Sequence, residues 1–436
     1  MFGHTGFHVL QDLAALYSIV SGYGQHNICI IGQIDLHILI FHKGIQPLGI
    51  IHIYNMKILN QGPAVFVVAG DRNDPVKTVH ARQAVEEARE KVAALLGKHP
   101  EEIVFTAGAT ESTNFIIKGF LDYQRYYGNG KTRVVTSKAE HKATLNVCRF
   151  LNGEIYSNQD ATMSFFGENP RVDRGYQAAF VDVHEDGSLN LEEFQKAVDD
   201  RTALASVIFV NNESGAVNHI QEISRICRER GAALHVDVTQ ALGKLPIHKM
   251  NLDCDFMSLS AHKIYGPKGV GAAYLKEDDY GIPPISALLH GGEQENGLRA
   301  GTLCVHNIVG FGKAAQIALR DFEENSRRIQ EADEYFVSRI REIPELSLAN
   351  PNPDRCPGII SLKVDKKDFH NERFIKSVSQ EIAISTGSAC SAGEPSHVIR
   401  AMGLGDYVNK ILRISIGKNI TKKNIDDLVR ILKESI

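Results

Sequence analysis

The first regular pattern of hydrophobic and polar positions begins near residue 77. Across Lys77–Leu96, Val79, Ala84, Val85, Ala88, Val92 and Leu95 recur at helical spacing, and Gly97 stands where it can cap the helix. Glu102–Thr106 then reads as a short strand. The alternation repeats as strand Arg133–Thr136, helix His141–Leu151, strand Ala203–Val210, helix Ile220–Arg230 and strand Ala232–Val236. Met257–Ser260 and Gly271–Leu275 read as further strands. This rhythm predicts an α/β fold with a mainly parallel sheet covered on both faces. From about Val305 a smaller α+β unit begins. Asn307–Ile340 is helical and charged on one face. Strands Gly358–Val364, Ala383–Ser385 and Leu412–Ile416 then alternate with helices Asn371–Gln380, Ser396–Met402 and Lys422–Glu434.

Residues 1–60 differ from the rest. They hold four charged side chains, Asp12, Asp35, Lys43 and Lys57, with six histidines and twelve isoleucines. The most apolar part, Ile28 to Phe41, is interrupted by Gln33, Asp35 and His37, which is too short and polar for a spanning helix. The segment shows neither the basic start and small-residue cleavage site of a secretory signal nor the Arg- and Ser-rich character of a transit peptide. Buried strands of an ordinary domain are the simplest reading.

Composition narrows the class. The chain has 436 residues, 48 basic and 52 acidic side chains, a formal charge of -4, 43% hydrophobic residues and seven cysteines. These values fit a soluble globular protein and exclude a disordered chain or a disulfide scaffold. No CxxC pair occurs, so no zinc site or dithiol is expected, and free thiols in a reducing compartment follow. The near-neutral charge gives no case for direct nucleic-acid or membrane binding.

Four stretches carry candidate chemistry. In Ser260-Ala261-His262-Lys263-Ile264-Tyr265-Gly266-Pro267-Lys268-Gly269 an apolar strand runs into a lysine and a turn. A lysine at a strand end can be desolvated, which frees its amine for a Schiff base, and Ser260 and His262 can donate to a phosphate. A solvated lysine before a turn fits the same spacing. His235-Val236-Asp237-Val238-Thr239-Gln240 is an apolar strand ending in an acid, suited to a pyridinium nitrogen or, equally, to capping a helix. Thr106-Ala107-Gly108-Ala109-Thr110-Glu111-Ser112 joins a strand to a helix with the small residues and hydroxyls of a phosphate cradle. Ser385-Thr386-Gly387-Ser388-Ala389-Cys390-Ser391-Ala392-Gly393-Glu394-Pro395 sets a cysteine among small turn formers, a setting for a reactive thiol or for an incidental one.

Read together, "EIVFTAGATES", "TSKAEHKA", "VNNESGAV", "HVDVTQALGKLPI", "MSLSAHKIYGPKGVGA", "HGGEQENGLRAGT", "STGSACSAGEPSHVIRAMGL" and "LRISIG" resemble the NifS/IscS-type cysteine desulfurases of the class V aminotransferase group. The resemblance covers roughly residues 77–436. It implies the type I fold of enzymes that use pyridoxal 5'-phosphate (PLP). A large PLP-binding domain over 61–304 would hold a mainly parallel seven-stranded sheet. A small C-terminal domain over 305–436 would carry the cysteine stretch. The resemblance also implies a homodimer with active sites at the subunit interface. Its residue roles are Lys263 as the Schiff-base lysine, Asp237 on the pyridine nitrogen, Gln240 on the ring hydroxyl and His141 stacked on the ring and moving protons. Ala109, Thr110, Ser260 and His262 would bind the phosphate, and Thr302 the phosphate of the partner subunit. Asn212 would border cofactor and substrate, Arg413 would take the substrate carboxylate, and Cys390 would accept sulfur as a persulfide. Lys268 is the nearest rival to Lys263, and the other six cysteines are read as bystanders.

The implied activity converts L-cysteine to L-alanine and supplies sulfur, through an acceptor protein, to iron–sulfur clusters, thio-cofactors or nucleic-acid thiolation. A selenocysteine lyase-like enzyme and a non-catalytic binding or regulatory homologue are the alternatives. No metal is expected, and the cytosol is the default location, with an organelle open if the natural N-terminus lies elsewhere. The family's opening Asn-Ala-Ala-Thr-Thr-like motif has no counterpart, and "GDRNDPVKTVH" retains only Asn73, Pro75 and His80 of the next one. A misassigned start and a genuine variant both explain residues 1–60. The cysteine stretch is shorter than in typical members of its group, and the chain ends without the C-terminal extension that longer members use to dock a scaffold.

Overall fold

The computed structural model describes residues 36–41, 47–53, 75–154, 172–386 and 395–436. The chain divides into two compact units, Met1–Ala81 and Arg82–Ile436. In the first, strands β1 (Leu36–Phe41) and β2 (Pro47–Ile53) pair antiparallel, with an irregularity between Leu39 and Phe41. They are strands, as the apolar pattern suggests; the side chains on which their burial rests lie outside the described residues.

The second unit is built on seven strands: β3 (Ile103–Thr106), β4 (Arg133–Ser137), β5 (Gln177–Val181), β6 (Thr202–Ile208), β7 (Ala233–Asp237), β8 (Phe256–Ser260) and β9 (Gly271–Leu275). Their order across the sheet is β3-β9-β8-β7-β6-β4-β5. All neighbours from β5 to β8 are parallel, and only β9 runs the other way, between β3 and β8. Every residue of β6 is buried, as a parallel strand covered on both faces should be. One face packs on Val85, Val92, Ile223 and Phe311 from three helices. The other packs on Phe115, Ile116, Phe120 and Val147 from the helices Ala109–Tyr126 and Lys142–Leu151.

A second sheet joins β10 (Leu346–Leu348), β11 (Ile359–Val364) and β12 (Ile411–Ser415), all antiparallel. Phe336, Leu362, Leu412, Val429 and Leu432 form its core with the helices Phe322–Ile340 and Lys422–Ser435. The helical stretch expected over Asn307–Ile340 breaks at Asp321 into Val305–Arg320 and Phe322–Ile340. No glycine or proline marks that break, so the hydrophobic pattern runs through it. The strand expected at Ala383–Ser385 reduces to a single bridge between Ser385 and Arg413.

The second sheet is braced by a buried ion pair. Asp333 accepts from Arg355 Nη1 at 2.9 Å, from Arg355 Nη2, and from the Gly358 N–H at 2.7 Å. Removing one partner strands the other charge in a low-dielectric interior. Asp333→Ala should therefore lower stability by about 3–5 kcal/mol, read as a drop in the urea midpoint. Asp333→Asn, which still accepts from Gly358, should lose less.

Candidate active site

The parallel register brings the carboxyl ends of β3, β4, β6, β7 and β8 to one edge, where ligands gather in open α/β sheets. Ala109 and Thr110 follow β3, His141 follows β4, Asn212 follows β6, Asp237 ends β7, and Ser260 to Lys263 end β8. Eight of the predicted residues thus stand on the turns of one rim.

The cradle at its β3 corner depends on close backbone approach. Gly271 pairs with both Thr106 and Ser260, and a Cβ there would meet Leu259 O at 2.4 Å and Gly108 Cα at 2.6 Å. This brings Gly108 to the Ser260 hydroxyl, 3.7 Å from where its own Cβ would be. The helix Ala109–Tyr126 starts there, with first-turn N–H groups that have no intrahelical acceptor. Ser260 Oγ lies 2.8 Å from His262 Nδ1. Hydroxyl, imidazole and helix start together suit a phosphate. Arg299 clasps Glu111 at 2.8 Å and so ties the segment bearing the exposed Thr302 to this helix.

His141 caps the helix Lys142–Leu151, its Nδ1 accepting from the Ala143 N–H at 3.1 Å. In the neutral ring the hydrogen is therefore on Nε2. Burial lowers the His141 pKa below the ordinary imidazole value; Asp237 opposes this, and Lys263 adds to it. The rim lysine and acid thus both act on this ring. Asp237 is buried, and its Oδ1 accepts from the Thr239 N–H at 2.9 Å, which fixes the carboxylate. The capping role open for it in the sequence is fulfilled on a turn rather than on a helix. Lys263 sits in the 3-10 turn Ala261–Ile264. Gln240 Oε1 and its main-chain oxygen hold Lys244 Nζ at 3.3 and 3.0 Å.

Arg413 reaches the rim from β12, donating from Nη1 to the Asn212 main-chain oxygen at 3.3 Å. Burial lowers the pKa of its guanidinium, opposed by the Glu213 carboxylate. Among the described residues, neither the buried Arg413 Nε nor the buried Asn212 Oδ1 has a protein partner. An orphaned buried donor and acceptor on neighbouring residues are what a small polar ligand would satisfy. Together with the cradle, they fit a phosphorylated cofactor and an amino-acid carboxylate.

Cys390 and Cys29 lie outside the described residues. Cys148, Cys227, Cys254 and Cys356 are buried, and burial pushes Cys227 and Cys254 up to about 12 and Cys356 up to about 11. Such thiols are poor nucleophiles, in keeping with their reading as bystanders. Cys304 is exposed, 3.4 Å from His306 Nε2. Among the described residues no cluster of His, Cys, Asp or Glu suits a metal, and no helix is long and apolar enough to cross a membrane. A cavity of about 410 Å³ opens at the opposite ends of the strands, by Ala203, Ala233 and Phe256. Its arginine, Arg228, is already engaged by Asp253 and Asp255.

Sequence reasoning did not single out four residues that adjoin or bond the predicted ones: Glu140 beside His141, Glu213 beside Asn212, Lys244 bonded to Gln240, and Ser396 bonded to Glu213. All four lie inside the motifs quoted above, but only Glu140 and Glu213 adjoin a named residue, and adjacency alone does not single out a buried acid.

An open α/β sheet with a lysine, an acid, a histidine and a helix start on one rim defines an aminotransferase-like enzyme scaffold. The chain belongs to the aminotransferase class-V family, whose pattern matches residues 67–158 and 168–428. The cysteine desulfurase IscS of Aeromonas hydrophila is 38% identical over 82% of this chain and 82% of its own. A solved NifS-like protein shares 31% identity with a TM-score of 0.71, over 84% of this chain and 91% of its own. SspA in complex with cysteine shares 30% identity with a TM-score of 0.63, over 80% and 91%.

Glu140 shows how burial sets charge at this rim. It is fully buried; Oε1 accepts from Ser137 Oγ at 2.7 Å, and among the described residues Oε2 has no partner within hydrogen-bond distance. Burial pushes its carboxyl up to about 8. The folded chain thus keeps a proton that the unfolded chain releases near 4.5. This contribution to stability is complete below that lower value and is lost as pH rises through 8. Glu140→Gln copies the neutral acid and should stabilise the protein by on the order of 2 kcal/mol at high pH and little in acid. Urea midpoints at about pH 5 and about pH 8 would check this.

Proposed function

We propose that the chain is a PLP-dependent L-cysteine desulfurase that passes the sulfur of L-cysteine to its own Cys390. The observation that carries this reading is the rim itself, where Lys263, Asp237, His141 and Asn212 stand beside the orphaned Arg413 Nε and Asn212 Oδ1. Kinship with IscS, a cysteine desulfurase, and with SspA, solved with cysteine, supports the choice of substrate.

PLP, when bound, supplies an electron sink for a carbanion at the substrate α-carbon. Lys263 would hold it covalently. Asp237 would keep its ring nitrogen protonated, and Gln240, braced by Lys244, would meet its ring hydroxyl. Ala109, Thr110, Ser260 and His262 would hold its phosphate, and Thr302 would serve the phosphate of a partner subunit in a homodimer. Arg413 and Asn212 would orient L-cysteine by its carboxylate, a role suited to a guanidinium fork.

Lys263 takes the α-proton, and His141, with Nδ1 engaged, handles protons at Nε2. The Cys390 thiolate attacks the substrate sulfur. The C–S bond breaks, an S–S bond forms, and the electron pair left on carbon takes a proton to give L-alanine. An acceptor protein then removes the persulfide sulfur. We assign 61–304 as the PLP-binding domain and 305–436 as the smaller domain carrying Cys390.

Purified protein should absorb in the visible, and addition of L-cysteine under a thiol reductant should yield alanine and sulfide in equal amounts. Lys263→Ala should lose both the band and turnover. Cys390→Ser should keep the band and lose at least roughly 100-fold in alanine formation. Full alanine formation by Cys390→Ser would remove Cys390 from the reaction, and a colourless wild-type protein that makes no alanine would sink the whole reading.

A further inference from the structure

Glu213, beside Asn212, is only 2% exposed although it is an acid. Its N–H is taken by Asn211 Oδ1 at 2.9 Å, and its main-chain oxygen accepts from Ser361 Oγ at 2.8 Å, so the backbone is fixed on both sides. Its carboxylate points in two functional directions. Oε2 accepts from Ser396 Oγ at 2.6 Å, and its charge acts on both Arg413 and His141. A short bond between a hydroxyl and a carboxylate is roughly twice as strong as a neutral one.

Ser396 also caps the helix His397–Ala401, accepting from the Ile399 N–H at 3.1 Å. His397 Nε2 lies 2.8 Å from the Glu140 main-chain oxygen, which can only accept, so this nitrogen donates. Val398, Ile399 and Met402 pack on Ala139. This helix start is thus docked on the residues that precede His141. Ser385 is held as well: the Arg413 N–H donates to its main-chain oxygen at 2.7 Å, and its own N–H returns a bond to Arg413 at 3.3 Å. The described residues on either side of Cys390 are therefore both tied down, Ser385 to Arg413 and Ser396 to Glu213.

We propose that Glu213 is a positioning residue, whose carboxylate fixes Ser396, and with it the carboxyl-terminal end of the cysteine-bearing stretch, relative to Arg413. This rests on the roles given to Arg413 and Cys390 above. Sulfur transfer needs reacting atoms within about 3–3.5 Å, so an anchor that shifts penalises transfer and leaves substrate binding intact.

Three changes at Ser396 separate this role from helix capping. Ser396→Asp keeps a capping acceptor for Ile399 but, assayed well above the carboxyl range so that it is ionised, cannot donate to Glu213 and sets a second negative charge beside it. Ser396→Ala loses both functions, and Ser396→Thr keeps both. In Ser396→Asp and Ser396→Ala, kcat for alanine formation should fall roughly tenfold, with KM for L-cysteine and the visible change on its addition unaltered. Ser396→Thr should restore turnover. Wild-type turnover in Ser396→Asp, with loss confined to Ser396→Ala, reduces Ser396 to a helix cap and overturns the proposal. Should Ser396→Asp not fold, Glu213→Gln decides: it keeps an acceptor without the charge, and turnover should drop several-fold, whereas unchanged turnover overturns the proposal. The wild-type assay comes first, so a protein that makes no alanine indicts the desulfurase reading and not the anchor.

Discussion

Parallel pairing from β5 through β8, with β3 held in the same direction by the reversed β9, obliges five βα turns to open at one edge. Each turn delivers one chemical group there: a helix start, an imidazole, an amide, a carboxylate, and a lysine. The strands are short and mostly apolar, and apart from the half-buried edge strand β5 they are buried on both faces. Polar groups are therefore affordable only where the strands end, or within the sheet where they are fully bonded. A single-residue slip of β7 against β8 would turn Asp237 to the other face, so the register is part of the chemistry.

The polar groups left inside the sheet obey that condition. His235, two residues before Asp237 on β7, is fully buried between Ser206 Oγ at 2.8 Å and Ser258 Oγ at 3.1 Å. Thr113 Oγ1 continues the chain to Ser258 at 3.0 Å from the helix whose start forms the cradle. Burial lowers His235 to about 3, so it is neutral and serves as a bonded spacer. The row links β6, β7 and β8 to that helix and fixes the cradle relative to Asp237. At the rim the condition fails locally. Glu140 Oε2, Asn212 Oδ1 and Arg413 Nε have no partner among the described residues, and a stable fold tolerates such atoms where function requires them.

Long periodic elements were legible from the sequence because their apolar spacing is unambiguous. Gly271–Leu275 coincides with the observed strand, and the strand and helix ends elsewhere mostly fall within two residues. The edge strand Gln177–Val181 and the three-residue Leu346–Leu348 were not legible, since neither carries enough alternation to stand out. At the site, Lys263 and Asp237 could be named because each follows or ends an apolar strand beside turn residues, whereas His141 was named only from the family resemblance. Glu213 and Ser396 could not be named. A buried acid is recognisable only once its hydroxyl partner, 183 residues away, is brought within bonding distance by the fold.

The last constraint concerns distance between the two sheets. Lys263 follows a strand of one and Arg413 lies on a strand of the other, yet in the proposed reaction both address one small molecule. The turn Asn211 to Val217 makes the join. Its Ser214 oxygen accepts from Asn350 Nδ2 at 3.1 Å, its Glu213 oxygen from Ser361, and its Gly215 oxygen from the Cys356 N–H at 2.8 Å. Asn211 Nδ2 closes the other side on the Ala139 oxygen at 2.8 Å. Gly215 has φ +73°, and a Cβ there would lie 2.6 Å from Ile359 O, so β11 is drawn in as far as a side chain would forbid. One turn of seven residues, bonded to both sheets, therefore sets how far the arginine stands from the lysine. The Glu213 carboxylate lies in the same turn, so the anchor for Ser396 is measured from the same origin as the substrate site.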